Sequence, residues 1–506
     1  MRGLSPRFTP AAGLLFLATL TSVASAQGAK TSGPAPKPFS YNYTVETKAA
    51  AAMDVSHLDP VQMRAIYAAR RKRVLESMPE GAMLIFSVDE NQPRHLEYQV
   101  PQSENHDFEF LTGLAGLDSY DSALLIIPAE DGPRVVLYTS GNPEAIKVAT
   151  GIEDVRAYAK MEEDFSIAIT TYRDWRITQI RRWPVPAALA KQWSSGARAL
   201  YVNYPRFPRL GQPEPTRFAF FATLQHYSPA LQLRDSAEVM DPIRELHDAY
   251  DLACLRRAVQ ITGDGIVEGM RLARPGLTES QIMEVLDFVY RYHGATLGFP
   301  TEAQETPIPP QRVIRQVPEG YIAFVSRSAD VPIVAGGVMH VDTGASFLDH
   351  SSDIQRIAPV DGHFTPEQRK VYEAALKVQK SVIEAIKPGA KWWDLHNLAV
   401  KILHDEGGYD QYYKYGIGHF VGMEVHDEGD YEKPMLPGMA MAIEQGVVLP
   451  GGVHMQLEDN VIVTETGHDW VSQSIPIEPD DVEKMMQTSS SFVGFASKPW
   501  PPAVVK

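Results

Sequence analysis

The chain has 506 residues, 44% of them apolar, which is enough for two or three packed domains. A formal charge of −16 with no block of Lys and Arg excludes a nucleic-acid surface, which needs clustered cations to displace phosphate counterions. The single cysteine, Cys254, excludes an internal disulfide and any cysteine-built metal site; its helical neighbours Leu252 and Leu255 suit a buried, inert thiol.

At the start of the chain, Arg2 and Arg7 precede an apolar run from Ala11 to Val23 that ends in Ala24-Ser25-Ala26. This is the layout of a secretory leader over residues 1–26, too short for a typical membrane span and small at its exit, so the expectation is an exported, periplasmic or secreted protein with no stable membrane span after cleavage. Residues 27–55, rich in Ala, Pro, Lys, Ser and Thr, read as a flexible linker. Residues 56–240 read as an α/β N-terminal domain. A helical stretch at 61–78 leads to the buried-strand candidates "GAMLIFSV", "SALLIIP", "RVVLYTS" and "ALYVNY", with a turn at Asp131-Gly132-Pro133. Asp241-Pro242 marks the boundary of a second domain, 241–485, followed by a tail, 486–506.

That second domain contains an internal echo. Two amphipathic helices end in Pro275-Gly276 and Pro388-Gly389, and each is followed by another amphipathic helix, which suggests two related halves facing one another across a cleft. Two hairpin-like segments supply carboxylates: Asp342 and Asp353 across a turn at Gly344, and Glu444 and Glu458 across Pro450-Gly451-Gly452. His419 lies in a glycine-rich string between them. Taken singly, each residue has an ordinary role: a turn aspartate, a solvated strand end, a loop histidine. Together, four buried carboxylates would repel or protonate unless a cation sat among them. Four carboxylates and an imidazole suit Mn²⁺, Co²⁺ or Zn²⁺, and a pair of such ions lowers the pKa of a water and polarises a scissile carbonyl. No Gly-x-Ser-x-Gly elbow or phosphate-binding loop offers a different chemistry.

The strings "VDTGASFLDHSSDIQR", "GIGHFVGMEVHDEG", "AIEQGVVLPGG" and "MQLEDNVIVTETG" resemble the pita-bread metallopeptidase family that includes aminopeptidase P, prolidase and methionine aminopeptidase. The resemblance implies an α+β catalytic domain of pseudo-twofold duplicated halves behind the α/β domain. By the same resemblance Asp342 and Asp353 hold one ion, Asp353 and Glu458 bridge, and His419 with Glu444 completes the second. It further implies that His426 contacts the substrate or its tetrahedral intermediate, that Glu444 serves as general base or proton shuttle, that His419 belongs to the catalytic set, and that Mn²⁺ is the favoured pair. "YQVPQSENHDFEFLTGLAGLDSYDSALLIIP", with Asn105, Asp107, Phe108, Thr112 and Gly113, resembles the N-terminal domain of the aminopeptidase P branch, which methionine aminopeptidase lacks. The implied activity is removal of the first residue from short peptides with proline in second place, by a homodimer or homotetramer. A prolidase acting on Xaa-Pro dipeptides, or a binding protein that has lost turnover, stand as alternatives.

The chain departs from the family pattern around these ligands. The segment before the first hairpin, "GFPTEAQETPIPPQRVIRQVPEGYIAF", carries no histidine; Tyr415 stands where a histidine usually precedes His419; Gln445 replaces a proline; and Gln456 replaces an arginine before Glu458. Tyr415 and Gln456 are therefore read as substrate contacts. His340, two residues before Asp342 on a strand and so on the same face, is a candidate to replace a missing imidazole.

Overall fold

Residues 47–78, 80–89, 103–129, 131–171, 183–196, 198–204, 216–307, 332–413 and 416–492 are described by a computed structural model. The leader at 1–26, the linker up to residue 46, the tail beyond 492 and Tyr415 lie outside them.

Helix α1 (Pro60–Ser77) starts from a capping box in which Asp59 and Gln62 satisfy each other's backbone, with Pro60 in the first turn. It leads into a six-stranded mixed sheet made of β1 (Ala82–Phe86), β2 (Ser122–Ile127), β3 (Arg134–Thr139), β4 (Asp154–Ala157), β5 (Ala199–Val202) and β6 (Gln232–Asp235), in the order β4-β3-β2-β1-β5-β6. β1 and β2 are buried along their whole length because helices cover them, with Phe165, Trp193 and Phe221 in the shared core. Between β1 and β2 runs α2 (His106–Thr112), capped by the Asn105 side chain on Phe108 N and ended by Gly113 at φ 73°. A Cβ on Gly113 would lie 2.2 Å from the Tyr67 ring, so the close packing of α1 and α2 also requires glycine there.

The expected boundary at Asp241-Pro242 falls inside a helix, α3 (Ala237–Arg244). Pro242 removes one N–H without ending it: Glu245 N still donates to Asp241 O beyond the proline.

The second domain is built on a curled antiparallel sheet. Its strands are β7 (Glu302–Thr306), β8 (Val338–Thr343), β9 (Ile354–Pro359), β10 (Gly418–Phe420), β11 (Ala440–Val448), β12 (His454–Val463) and β13 (His468–Trp470), ordered β7-β8-β9-β12-β11-β10 with β13 on β12. Two helix pairs support it. α4 (Ala249–Leu272) and α5 (Glu279–Tyr292) turn at Gly276, φ 95°, and α6 (Pro366–Ala385) and α7 (Trp392–Asp405) turn at Gly389, φ 87°. α4 packs on β8 and β9, and α6 on β11 and β12, so the repeated helix units serve the two hairpin halves in the same way. No described helix is long and apolar enough to cross a membrane.

The linker reading over 27–55 needs correction at its end. Thr47–Ala52 is a helix that docks on α4, with Ala50 and Val55 buried and the Thr47 N–H and hydroxyl both donating to Glu465. A run of alanines costs little side-chain entropy when it becomes helical, and its small side chains permit a close approach.

The described residues of both domains belong to one compact unit, and ion pairs join them. Arg70 of α1, 2% exposed, bonds Asp248 at 2.8 Å and also Asp251 of α4. Asp251 in turn meets His350 Nε2 at 2.8 Å, while His350 Nδ1 faces Leu348 O at 2.7 Å. Arg244 reaches Asp107 of α2 at 3.0 Å and also bonds Asp427, and His106 Nδ1 lies 3.2 Å from Glu424. The Asn105-to-Gly113 motif thus braces the 422–428 loop.

Candidate metal centre

Strand register assembles the site. Asp342 stands opposite Gln355, Gln355 opposite Glu458, and Glu458 opposite Glu444. Directly paired residues share a face of a sheet, as do residues two apart, so Asp342, Asp353, Gln355, Glu458, Gln456 and Glu444 all belong to one face. The first hairpin differs from the expected tight turn. Asp353 is offset two residues from the partner of Asp342, and the connection holds short strands at Ala345–Phe347 and His350–Ser351. Gly344 lets this connection fold back: a Cβ there would lie 1.8 Å from Ser352 O.

Two groups of possible ligand atoms converge, each within 4.8 Å: Asp342, Asp353 and Glu458; and Asp353, His419 and His426. Asp353 belongs to both. Its backbone N–H donates to Asn460 Oδ1 at 3.0 Å, and its Oδ2 lies 3.3 Å from His419 Nε2. His419 Nδ1 faces Phe420 O at 3.0 Å, so that nitrogen carries the proton and Nε2 points into the cluster. His426 is exposed and stacks on His419, ring centroids 3.6 Å apart. Glu444 stands beside Glu458 but outside both groups, its Oε2 held by Gln456 Nε2 at 2.6 Å.

Electrostatics agree with a cation site. Burial, and then Asp353 and Glu458, push the Asp342 carboxyl well above the usual range; burial and Asp353 do the same to Glu458. Burial opposes the charge on His419, but the Asp353 and Glu458 carboxylates, 3.3 and 3.7 Å from Nε2, outweigh it and raise its pKa. Asp342 Oδ1 and Glu458 Oε1 are buried with no hydrogen-bond partner among the described residues. Such atoms cost free energy unless they accept from a donor or bind a metal, and the oxygen-rich donor set with one or two imidazoles fits divalent cations.

A pH dependence follows. In the cation-free chain these two carboxyls hold protons above their ordinary values of 3.8 and 4.5, so the folded state binds more protons than the unfolded one and its stability falls as pH rises through that window. Cation binding requires the ionised forms. The gap between the unfolding midpoints of Mn²⁺-loaded and EDTA-treated protein should therefore widen between about pH 5 and about pH 8. A gap that stays constant with pH would contradict this.

Two readings change. Gln456, read as a substrate contact, is buried, and both ends of its amide are engaged, Oε1 by His454 Nε2 at 2.7 Å and Nε2 by Glu444. Strand register explains this, since Gln456 lies opposite Gly446 and beside the carboxylates. His340 is also buried, bonded to Gln355 and packed on the His454 ring at 4.5 Å, so it does not replace a substrate-facing imidazole. Sequence reasoning overlooked Gln355, His454 and Asn460. Their signal was available: polar residues two or four apart from buried carboxylates share their strand face and must partner them or one another.

Comparison with known proteins accords with this geometry. Residues 253–465 match the model of metallopeptidase family M24. The Xaa-Pro aminopeptidase of Haemophilus influenzae is 24% identical over 452 residues, covering 82% of this chain and 96% of that protein. The Xaa-Pro dipeptidase of Pyrococcus horikoshii is 26% identical over 266 residues, 51% of this chain and 71% of that protein. The solved proline aminopeptidase P II of Yersinia pestis superposes with a TM-score of 0.66 at 22% identity, covering 84% of this chain and 99% of that one. Residues 253–465 thus carry a metallopeptidase M24 domain with converging candidate ligands, in a chain that has the two-domain build of aminopeptidase P.

Proposed function

We propose that the protein removes the N-terminal residue from short peptides whose second residue is proline, with Mn²⁺ as its working pair of cations. The observation that carries the reading is the convergence of Asp342, Asp353, Glu458 and His419 at one sheet face, with His426 of the adjoining loop stacked on His419, in a chain whose α/β domain is retained beside it. The likeness to the Haemophilus aminopeptidase spans both domains, whereas that to the Pyrococcus dipeptidase spans about half the chain. This favours the aminopeptidase over the dipeptidase.

Asp342, Asp353, His419, Glu444 and Glu458 would hold the two cations, which when bound acidify water and polarise a carbonyl. Glu444, beside the cluster and oriented by Gln456, takes the proton of the attacking water and returns it to the proline nitrogen as the bond breaks. His426, exposed on the mouth of the site and steadied by its stack on His419, donates a hydrogen bond to the carbonyl oxygen as negative charge develops there. The leader supports the further reading that the enzyme works outside the cytoplasm.

The test is hydrolysis of Xaa-Pro-Xaa against Xaa-Pro by protein loaded with Mn²⁺, Co²⁺ or Zn²⁺. Cleavage of the tripeptide at its first bond is expected. Strict restriction to dipeptides would assign a dipeptidase, and two bound ions with no hydrolysis of either would assign a binding protein.

A further inference from the structure

Four polar side chains without a part in the reaction lie on the same sheet face, next to the ligands: His340, Gln355, His454 and Gln456, all buried. They connect in order. Gln355 Nε2 lies 2.9 Å from Asp342 Oδ2 and also contacts His340 Nε2. The His340 and His454 rings are adjacent, centroids 4.5 Å apart and tilted by 42°. His454 Nε2 meets Gln456 Oε1 at 2.7 Å, and Gln456 Nε2 meets Glu444 Oε2 at 2.6 Å. The path starts on one carboxylate and ends on another.

Donor and acceptor rules fix its polarity. In the cation-bound state both carboxylates are ionised and only accept, so both amides turn their nitrogens toward Asp342 and Glu444, which settles the orientation of each. The Gln456 oxygen then faces His454, whose Nε2 must carry a hydrogen. The Gln355 nitrogen also faces His340, whose Nε2 must offer a lone pair, leaving the hydrogen of that ring on Nδ1. One ring is therefore the Nδ1–H tautomer and its neighbour the Nε2–H tautomer. Each amide occupies a single oxygen of its carboxylate, and Asp342 Oδ1, the oxygen left over, is buried without a hydrogen-bond partner among the described residues. The backbone makes room for the arrangement: a Cβ on Gly446 would lie 2.4 Å from that of Gln456.

We propose that His340, Gln355, His454 and Gln456 form an arc of two hydrogen-bonded arms of fixed polarity, joined by the contact of the two imidazole rings, whose task is to aim the Asp342 and Glu444 carboxylates at the two cations. All four are positioning residues, and the inference rests on the dinuclear reading of the site. A cluster that only filled space would behave differently, because apolar groups of similar shape can replace such polar atoms at little cost.

The experiment is Mn²⁺ binding to the full chain after EDTA treatment, for wild type, Q456L, H454F and the double variant, together with thermal unfolding of each cation-free protein. Q456L and H454F should each weaken one of the two ions about 10–100-fold with little change in the cation-free midpoint. The double variant should be no weaker than Q456L alone, since His454 acts through Gln456. Should Q456L fail to fold, Q355L reads out the opposite end of the arc through Asp342. Two ions bound with wild-type affinity by the variants, additive losses in the double variant, or losses that merely track a fallen midpoint would each overturn the arc. A wild type that binds two ions but leaves Xaa-Pro peptides intact overturns the substrate reading, while metal losses in the variants still support the arc. A wild type that binds no ion overturns both.

Discussion

Replacement of Asp353 by asparagine will strip the protein of both cations and of turnover together. Its carboxylate is the one shared by the two groups of converging ligand atoms, and it is the neighbour of His419 Nε2. Asparagine keeps the size and retains the backbone bond to Asn460, but it removes the negative charge that would offset cations on both sides. A loss of at least about 1,000-fold in kcat/KM is expected, on the order of 4 kcal/mol of transition-state stabilisation. Metal analysis and kinetics on an Xaa-Pro-Xaa tripeptide check it. The contrast with His426→Ala separates the roles: that variant should keep its two ions and lose only rate. Two tightly held ions in D353N would remove Asp353 from the shared position.

Arg70→Met should destabilise the fold by about 3–5 kcal/mol, because it leaves the buried Asp251 and the half-buried Asp248 without their main countercharge. Burial works against the charge on Arg70, but the two carboxylates more than offset this and hold its pKa above the ordinary value. Asp251 is likewise kept ionised: burial opposes its charge, and Arg70 and then His350 outweigh it. The guanidinium also lies over the Phe110 ring at 4.1 Å and donates to Phe110 O at 3.2 Å, so one side chain serves α1, α2 and α4. Arg70→Lys keeps the charge but not the planar fork and should fall between the two. Urea unfolding followed by fluorescence and by far-UV circular dichroism is the measurement. A shift below about 1 kcal/mol for Arg70→Met would mean that the pair behaves as an exposed one.

The paired helices and the main strands of both sheets were legible because each depends on local periodicity or on spacing; of the ligand candidates, Asp342, Asp353, His419 and Glu458 converge while Glu444 stands outside both groups. Apolar runs bounded by Gly and Asp identified β1 and β2, and Pro-Gly turns identified the helix pairs. Partnerships between distant stretches were not legible. Nothing near Arg70 points to Asp248 or Asp251, and nothing near Gln456 says that register sets it against Gly446 and Glu444. Its position two residues before a ligand suggested contact with substrate, whereas the sheet turns its amide toward neighbouring side chains. Pro242 misled because a proline read alone signals a break, while the flanking residues sustain α3.

The ribbon that carries Glu458 tolerates no change of length. Deleting the one residue between Gln456 and Glu458 would exchange inner and outer sides along the rest of β12, turning Glu458 away and pulling Asp459 from its Arg356 partner into its place. Engineered insertions therefore belong in the connections, such as 449–453, where a lengthened loop leaves the alternation on either side intact.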